Sequence, residues 1–371
     1  MRLLQLSIQN FRNIREASLE FPPGAQLLVG KNAQGKTSLL EALYFLATAT
    51  SPRTRANREL VLRGSETAYI HLDFERQGRP RSVGAGLAEK ERRFRVDGEP
   101  LRRISDLYGN LRAVFFSPED LEFLAGGPAA RRRTLDLSLC QRQPAMVRAL
   151  LDYRKTLKQR NALLKTADAP TMVRAWDREL ARLGARVIEG RAIHALDILD
   201  RTAFHYLELT RTNETLAGLY RSSGTKQTWS EASEIPTQAD LERLFLVQLG
   251  QTLERDLALK TTSCGPHRDD LVLEIAGVSA ERYASQGQRR SAVLSLKLAE
   301  RDLLAEGGEP PILLVDDVTH EMDAGRCQQF LQKITSEGQA LLTFTEEDKA
   351  RALLPGATRW LVTEGRFSRT L

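Results

Sequence analysis

Cysteine is scarce in this chain: Cys140, Cys264 and Cys327 are three in number and far apart. An odd, scattered set makes neither a disulfide framework nor a zinc pattern, and it fits a reducing compartment. Long apolar runs are missing as well. No stretch approaches the ~18 residues of a membrane span, and the N-terminus lacks the charged-then-apolar layout of a secretory signal. The expected location is cytoplasmic. Internal repeats and low-complexity tracts are absent. Nothing has the pattern of a helix-turn-helix, a zinc finger or an RRM aromatic pair, which argues against reading of base sequence. Charge of one sign is in small excess only: 54 Lys and Arg face 48 Asp and Glu, a formal net charge of +6. By itself that excess is a weak pointer to nucleic acid.

What is present is an ordinary globular composition, 42% hydrophobic and 27% charged, over 371 residues. That length suits two or three domains of ~150 residues each. Residues 3–21 alternate loosely around Phe11-Arg12-Asn13, like two strands joined by a turn, and Gln26-Leu27-Leu28-Val29 reads as a short buried strand. From Thr37 the run to Leu46 carries helix formers with apolar spacing. Residues 69–74, 93–96 and 113–116 are further strand candidates.

Beyond Pro118 the texture changes. Leu150, Leu157 and Leu164 recur every seven residues. After a break at Ala167-Asp168-Ala169-Pro170, Val173, Trp176, Leu180, Leu183, Val187 and Gly190 step by three and four. These are seam positions of a coiled-coil-like pair, and they predict an antiparallel hairpin of two helices, each ~30 Å long. Such a hairpin is either a projecting arm or part of an internal bundle. Residues 216–239 are polar and turn-rich and read as loop; residues 239–259 read as helix. Strand–helix texture returns at 270–275, 288–305, 312–315, 340–344 and 359–362. Trp176 and Trp360 sit on apolar faces and are expected in the core. The expected organisation is an α/β domain in two lobes, residues 1–120 and 260–371, split by a mainly helical insertion at residues 121–259.

Gly30-Lys31-Asn32-Ala33-Gln34-Gly35-Lys36-Thr37 fits the P-loop pattern G-x-x-x-x-G-K-[ST]. Gly30 and Gly35 let the backbone curl so that successive N–H groups point inward at phosphate oxygens. Lys36 reaches the β- and γ-phosphates of ATP, the Thr37 hydroxyl ligates Mg²⁺, and the helix that starts here, with Ser38 next in line, offers its positive end to the anion. Ile312-Leu313-Leu314-Val315-Asp316-Asp317 supplies the acidic partner, expected on a buried strand beside the P-loop strand. Asp316 holds Mg²⁺ in this reading, and Asp317 orients or deprotonates the attacking water.

Ser285-Gln286-Gly287-Gln288 opens an apolar-periodic helix just upstream. As an isolated string it is a capped helix start. In this position it resembles the signature motif of ATP-binding-cassette ATPases, which completes the nucleotide site of a second protomer.

Taken together, these stretches resemble the RecF family of bacterial recombination mediators, relatives of the Rad50 and SMC ATPase heads, over nearly the whole length. The likeness rests on Phe11-Arg12-Asn13, the P-loop, Phe116-Ser117-Pro118-Glu119-Asp120-Leu121 and Gln159-Arg160-Asn161-Ala162-Leu163-Leu164-Lys165. It continues through Gly265-Pro266-His267-Arg268-Asp269-Asp270-Leu271, the Ser-Gln-Gly-Gln segment and the Asp316-Asp317 strand. The resemblance implies an ABC-type P-loop ATPase head with a helical insertion and a DNA-binding dimer formed on ATP. It also implies work with RecO and RecR in loading RecA at gaps, a part in replication and the SOS response, and slow, DNA-stimulated hydrolysis that releases the complex. It implies that Ser285, acting in trans with Gly287 and Gln288, completes the opposite site, with Asp323 in the loop between protomers. The chain departs from the family at Ser51-Pro52-Arg53, at His320 and Met322, and in having no switch histidine in Leu342-Thr343-Phe344-Thr345-Glu346. These departures bear on hydrolysis rate rather than on ATP binding.

Residues 131–191 hold 15 Lys and Arg against 6 Asp and Glu, a net +9, which leaves the remainder at −3. DNA-backbone contact is therefore expected there, from Arg131, Arg132, Arg133, Lys155, Lys158 and Arg160, on gapped, single- or double-stranded DNA. Asp269 and Asp270 are either metal ligands or, the favoured reading, hold neighbouring arginines, and Arg268 is the better anion ligand beside His267. Two other classes share the P-loop: the nucleotide-binding subunit of a membrane transporter, and a small-molecule kinase.

Overall fold

The computed structural model describes residues 1–166, 170–317, 324–336 and 338–370. It divides into two compact units, Met1–Asp120 with Glu300–Leu371, and Leu121–Ala299.

The first unit is built from two six-stranded sheets. One is antiparallel throughout, in the order Ile14–Glu20, Arg2–Phe11, Thr67–Arg76, Arg79–Ala88, Arg92–Val96, Glu99–Pro100. The other runs Arg366–Thr370, Thr358–Thr363, Gln26–Val29, Ala340–Phe344, Ile312–Val315, Ala113–Phe116, with every pairing parallel except the terminal hairpin. The helix Lys36–Thr48 is buried on nearly every side. Leu39, Leu43 and Phe45 share one core cluster with Leu6, Leu72 and Phe74 of the antiparallel sheet and with Leu28, Leu314 and Leu341 of the parallel one. That double cover explains why Ser38-Leu39-Leu40-Glu41-Ala42-Leu43-Tyr44-Phe45-Leu46 is apolar around most of its circumference. Parallel strands buried on both faces read as apolar runs, unbroken in Ala113–Phe116 and Ile312–Val315 and interrupted only by Thr343 in Ala340–Phe344.

The acidic strand is not beside the P-loop strand. Ala340–Phe344 lies between Gln26–Val29 and Ile312–Val315. Strand order is set by long-range pairing, which neighbouring residues do not encode.

The second unit carries the helices Gly127–Arg142, Ala145–Leu163, Pro170–Thr210 and Gln238–Leu259. Its four-stranded antiparallel sheet runs Thr228–Trp229, Leu216–Arg221, Asp270–Ile275, Val278–Ser279. The expected hairpin exists, but its second helix has 41 residues, about 60 Å rather than 30. Residues 216–221, read as loop, form a strand because Leu216 and Tyr220 are buried and the ladder to Asp270–Ile275 pairs their backbone. The same ladder groups residues 260–299 with the helices, where the sequence suggests they return to the α/β domain. Trp360 is core, at 5% exposure, but Trp176 is 36% exposed. The inward position next to Trp176 is taken by Asp177, which pairs with Arg160, so the indole turns one step outward on the helix.

Gly184 lets two helices meet closely: a Cβ there would lie 2.4 Å from a ring carbon of Phe245. At the centre Arg160, fully buried, donates to Asp177 (2.7 Å), Asp256 (2.8 Å) and Thr262 (2.8 Å), joining Ala145–Leu163, Pro170–Thr210 and Gln238–Leu259. Among the described residues no helix is long and apolar enough to cross a membrane.

Candidate nucleotide site

The loop of residues 30–37 links the buried strand Gln26–Val29 to the helix Lys36–Thr48. Its shape is enforced from three sides. A Cβ on Gly30 would lie 2.3 Å from the Val362 carbonyl oxygen, so only glycine fits there. Asn13 Nδ2 donates to Ala33 O (2.9 Å), and Ser38 Oγ donates to Asn13 Oδ1 (2.7 Å). The turn of the terminal hairpin supplies the third brace: Gly365 N donates to Gln34 O (2.8 Å) and Glu364 N to Gln34 Oε1 (2.7 Å). Gly35, at φ 114°, caps the helix without a side chain, which leaves its first N–H groups to an anion.

Lys36 is buried, and its ammonium donates to Gly30 O (2.6 Å) and Lys31 O (2.9 Å). Burial lowers its pKa, and the charges of Asp316 and Asp317 act the other way. Asp316 accepts hydrogen bonds from Thr37 and from Thr343 Oγ1, the latter at 2.9 Å. Desolvation raises the Asp316 pKa against the pull of those two hydroxyls. Asp317 follows at φ 52°, with its N–H donating to Thr343 Oγ1 (2.9 Å). The intervening strand thus has a role of its own: Thr343 ties both acids to the sheet. The sequence marks this segment as a strand that lacks a histidine; the lone hydroxyl of Thr343 in an otherwise apolar strand is the available signal of its further role.

A cleft of about 840 Å³ opens over the loop, lined by Asn32, Gln34, Lys36, Thr37, Asp316 and Asp317 on one side and by Arg12, Arg53, Arg58 and Arg63 on another. Arg12 is anchored through Glu41, fully buried on the P-loop helix, by bonds of 2.8 and 2.7 Å. Ser51 Oγ also donates to Glu41, and Arg53 stands 3.6 Å from it. Ser51-Pro52-Arg53 therefore has a local purpose: the serine fixes the loop and the arginine faces the cleft.

In the second unit, Ser285 and Gln288 form a reciprocal cap. Ser285 N donates to Gln288 Oε1 (2.8 Å) and Gln288 N to Ser285 Oγ (3.2 Å). Gln288 Nε2 also reaches Glu214 at 3.0 and 3.1 Å. Ser285 and Gly287 are exposed. Thr319, His320, Glu321, Met322 and Asp323 lie outside the described residues.

The DNA-contact candidates divide sharply. Arg160 has no access to solvent, and Arg131, 3% exposed, makes two bonds to Asp270 (2.7 and 2.9 Å). Neither guanidinium can meet a DNA backbone, because each is itself buried and bound to carboxylates of its own unit. Arg132 donates to Asp269 O (2.6 Å), and Arg133 is half-buried. Lys155 and Lys158 are exposed. The open basic row lies elsewhere: Arg174, Arg178, Arg182 and Arg186, four residues apart on Pro170–Thr210, are all exposed. Among the described residues only Arg182 of the four has an ion partner, Glu179 at 2.6 Å. Asp269 and Asp270 do hold arginines, and His267 is fixed by the Tyr153 hydroxyl (2.7 Å) and Thr262 O (3.0 Å), which leaves Arg268 outermost.

Two sheets closing on a P-loop helix, with an acidic pair reaching the loop from the same parallel sheet, are the architecture of an ABC-type ATPase head, and this protein is of that class. The RecF/RecN/SMC N terminal domain profile matches residues 2–351. The chain belongs to the RecF family. The DNA replication and repair protein RecF of Synechococcus sp. (strain JA-3-3Ab) is 40% identical over 382 residues, 99% of this chain and 98% of that one. RecF of Lachnoclostridium phytofermentans is 38% identical over 352 residues, 93% of each. Among solved structures, the recombination mediator protein RecF-ATP of the RecFOR pathway superposes with TM-score 0.91 at 30% identity, over 100% of this chain and 98% of that one. An SMC head domain from Pyrococcus furiosus shares the fold, with TM-score 0.55 at 13% identity and cover of 100% and 96%.

Proposed function

We propose that this protein is an ATP-switched, DNA-binding dimer of recombinational repair and replication. It binds gapped, single- and double-stranded DNA, acts with RecO and RecR to load RecA, supports the SOS response, and uses slow, DNA-stimulated ATP hydrolysis for release. The observation that carries the reading is the hydroxyl–carboxylate chain Thr37–Asp316–Thr343 beside the buried ammonium of Lys36. Family membership agrees with it, as does the role of the RecF relatives in DNA replication and repair.

The chemistry follows from those groups. Backbone N–H groups of residues 30–37 and the start of the helix Lys36–Thr48 receive the phosphates, and Lys36 turns from the loop carbonyls to their oxygens. Thr37 and Asp316 offer hard oxygen donors, a hydroxyl and a carboxylate already in contact, which is the donor set Mg²⁺ takes. When bound, the ion supplies positive charge to the phosphate oxygens. Asp317 orients the attacking water and accepts its proton, held in register by its N–H bond to Thr343. Ser285, Gly287 and Gln288 of a second copy complete the site, so ATP binds the closed dimer better than the open chain and shifts the population toward it. The exposed row Arg174, Arg178, Arg182 and Arg186, with Lys155 and Lys158, supplies phosphate contacts.

Mixed dimers test this reading. Lys36→Ala and Ser285→Arg chains are each expected to lose ATP-dependent dimerisation and DNA binding. Their mixture regains one intact site, from Lys36 of one chain and Ser285 of the other, with up to half of the wild-type activity. A mixture as inactive as its parts, or a Lys36→Ala chain that binds DNA as wild type does, overturns it.

A further inference from the structure

The solvent face of the antiparallel sheet carries a groove of about 580 Å³ that shares no lining residue with the nucleotide cleft. Register explains its form. Tyr69 pairs with Gly86 and His71 with Gly84; Gly86 pairs in turn with Arg93 and Gly84 with Arg95. Each row across the sheet therefore reads ring, glycine, guanidinium. The glycines make a floor free of side chains between a ring-bearing wall and a basic one. The opposite face of the same strands, with Ile70, Leu72, Val83, Ala85, Leu87 and Phe94, is core, so the groove rests on a rigid base.

The walls are open to solvent. Tyr69 is 53% exposed although its ring lies against Gly86, where a Cβ would stand 3.4 Å from Cε1. An acid accompanies one group on each wall: Glu91 pairs with Arg93 at 2.9 Å, and Asp73 stands 3.2 Å from His71. Both pairs are well exposed, and such pairs contribute little and exchange readily for another anion.

We propose that this groove is a single-stranded nucleic-acid site, with bases stacked on Tyr69 and His71 and phosphates held by Arg93 and Arg95. The two rows lie two residues apart along the strands, about 6.8 Å, and present the same pair of chemistries to successive nucleotides. Stacking surfaces beside cations are how single strands are held without sequence preference. A peptide is the poorer occupant. The backbone donors and acceptors of Thr67–Arg76 and Arg79–Ala88, which form the ring-bearing wall and the floor, are used within the sheet, and an extended peptide needs a free edge.

The test uses the full chain with ATP and Mg²⁺ and a labelled dT oligomer, read by fluorescence anisotropy over a salt series. Tyr69→Ala is expected to weaken oligo(dT) binding about tenfold, while Tyr69→Phe, which keeps the ring, stays close to wild type. Arg93→Gln with Arg95→Gln is expected to reduce the salt slope by about 1.4, the loss of two single-strand phosphate contacts. Gly86→Val, which fills the floor, is expected to weaken binding as Tyr69→Ala does. ATP affinity and ATP-dependent dimerisation should be unchanged in every variant, so failure here is distinguishable from failure of the ATP-switched reading. The proposal is overturned if all variants bind oligo(dT) as wild type does, or if Tyr69→Phe loses as much as Tyr69→Ala. It is also overturned if a polyglutamate peptide of matched length displaces the oligomer at lower concentration than unlabelled dT.

Discussion

The guanidinium of Arg12 and the carboxylate of Glu41 meet through two hydrogen bonds, 2.8 and 2.7 Å, with Glu41 fully buried. Ser51 donates to the same carboxylate, and Arg53 approaches it at 3.6 Å. One acid on the P-loop helix thereby positions two arginines at the mouth of the nucleotide cleft.

Glu41→Ala leaves Arg12 without its buried partner. The expected cost is about 3–5 kcal/mol, seen as a lower midpoint of urea denaturation. Nucleotide affinity should fall as well, because Arg12 and Arg53 lose their aim. Arg53→Ala should lower nucleotide affinity and leave the midpoint nearly unchanged, since that side chain is 42% exposed.

Thr343→Val keeps the shape of the strand and removes the hydroxyl that Asp316 and Asp317 share. The Asp317 N–H then loses its acceptor, a penalty of about 1–3 kcal/mol. Steady-state hydrolysis is expected to drop more than ATP binding, because the displaced group orients water rather than phosphate. Parallel measurement of ATP affinity and kcat separates the two.

Arg160 and the exposed row should behave oppositely. Arg160→Ala strands Asp177 and Asp256, with an expected loss of about 3–5 kcal/mol in stability and no change in the salt slope of duplex binding. Arg174→Gln, Arg178→Gln and Arg186→Gln should each leave stability alone and reduce that slope by about 0.9. A DNA titration over salt beside a urea curve checks both.

Acid should loosen the second unit. His267 is pushed down to about 4 and His194 to about 3 from 6.5, by burial first and nearby arginines after it. Both imidazoles protonate earlier in the unfolded chain, so their contribution is full above about pH 6.5 and is lost as pH falls toward 4 and 3. Asp269 runs the other way. Burial raises it to about 6 from 3.8, so its contribution is present below 3.8 and lost as pH rises through 6. Near pH 5 the balance is about one proton taken up on unfolding, a slope of about 1.4 kcal/mol per pH unit. Urea curves at pH 4.5, 5 and 5.5 measure it, and His267→Gln should bring the slope close to flat.

Much of the nucleotide site was legible because its chemistry is local. Gly30, Gly35, Lys36 and Thr37 act within one turn of chain, and Asp316-Asp317 ends an unmistakable apolar run. The braces were not legible. Asn13, Thr343 and Gly365 reach the loop and its acids from 20 or more residues away, and no spacing rule connects them. The charge count over residues 131–191 found a basic segment but could not tell its members apart. Arg160 and Arg178 are the same residue type on neighbouring helices, one neutralising buried acids and the other open to solvent.

Family, P-loop and acidic strand were thus determined by the amino-acid sequence alone, since each depends on residue type at short separation. Tertiary structure alone decided which strand stands between the P-loop and its acids, which arginines are free for phosphate, and where rings and guanidinium groups face each other across glycines. The physical reason is common to all three: pairing between distant strands and burial of a charge depend on what the fold brings alongside, and a charged residue declares its role only when its neighbours are in place.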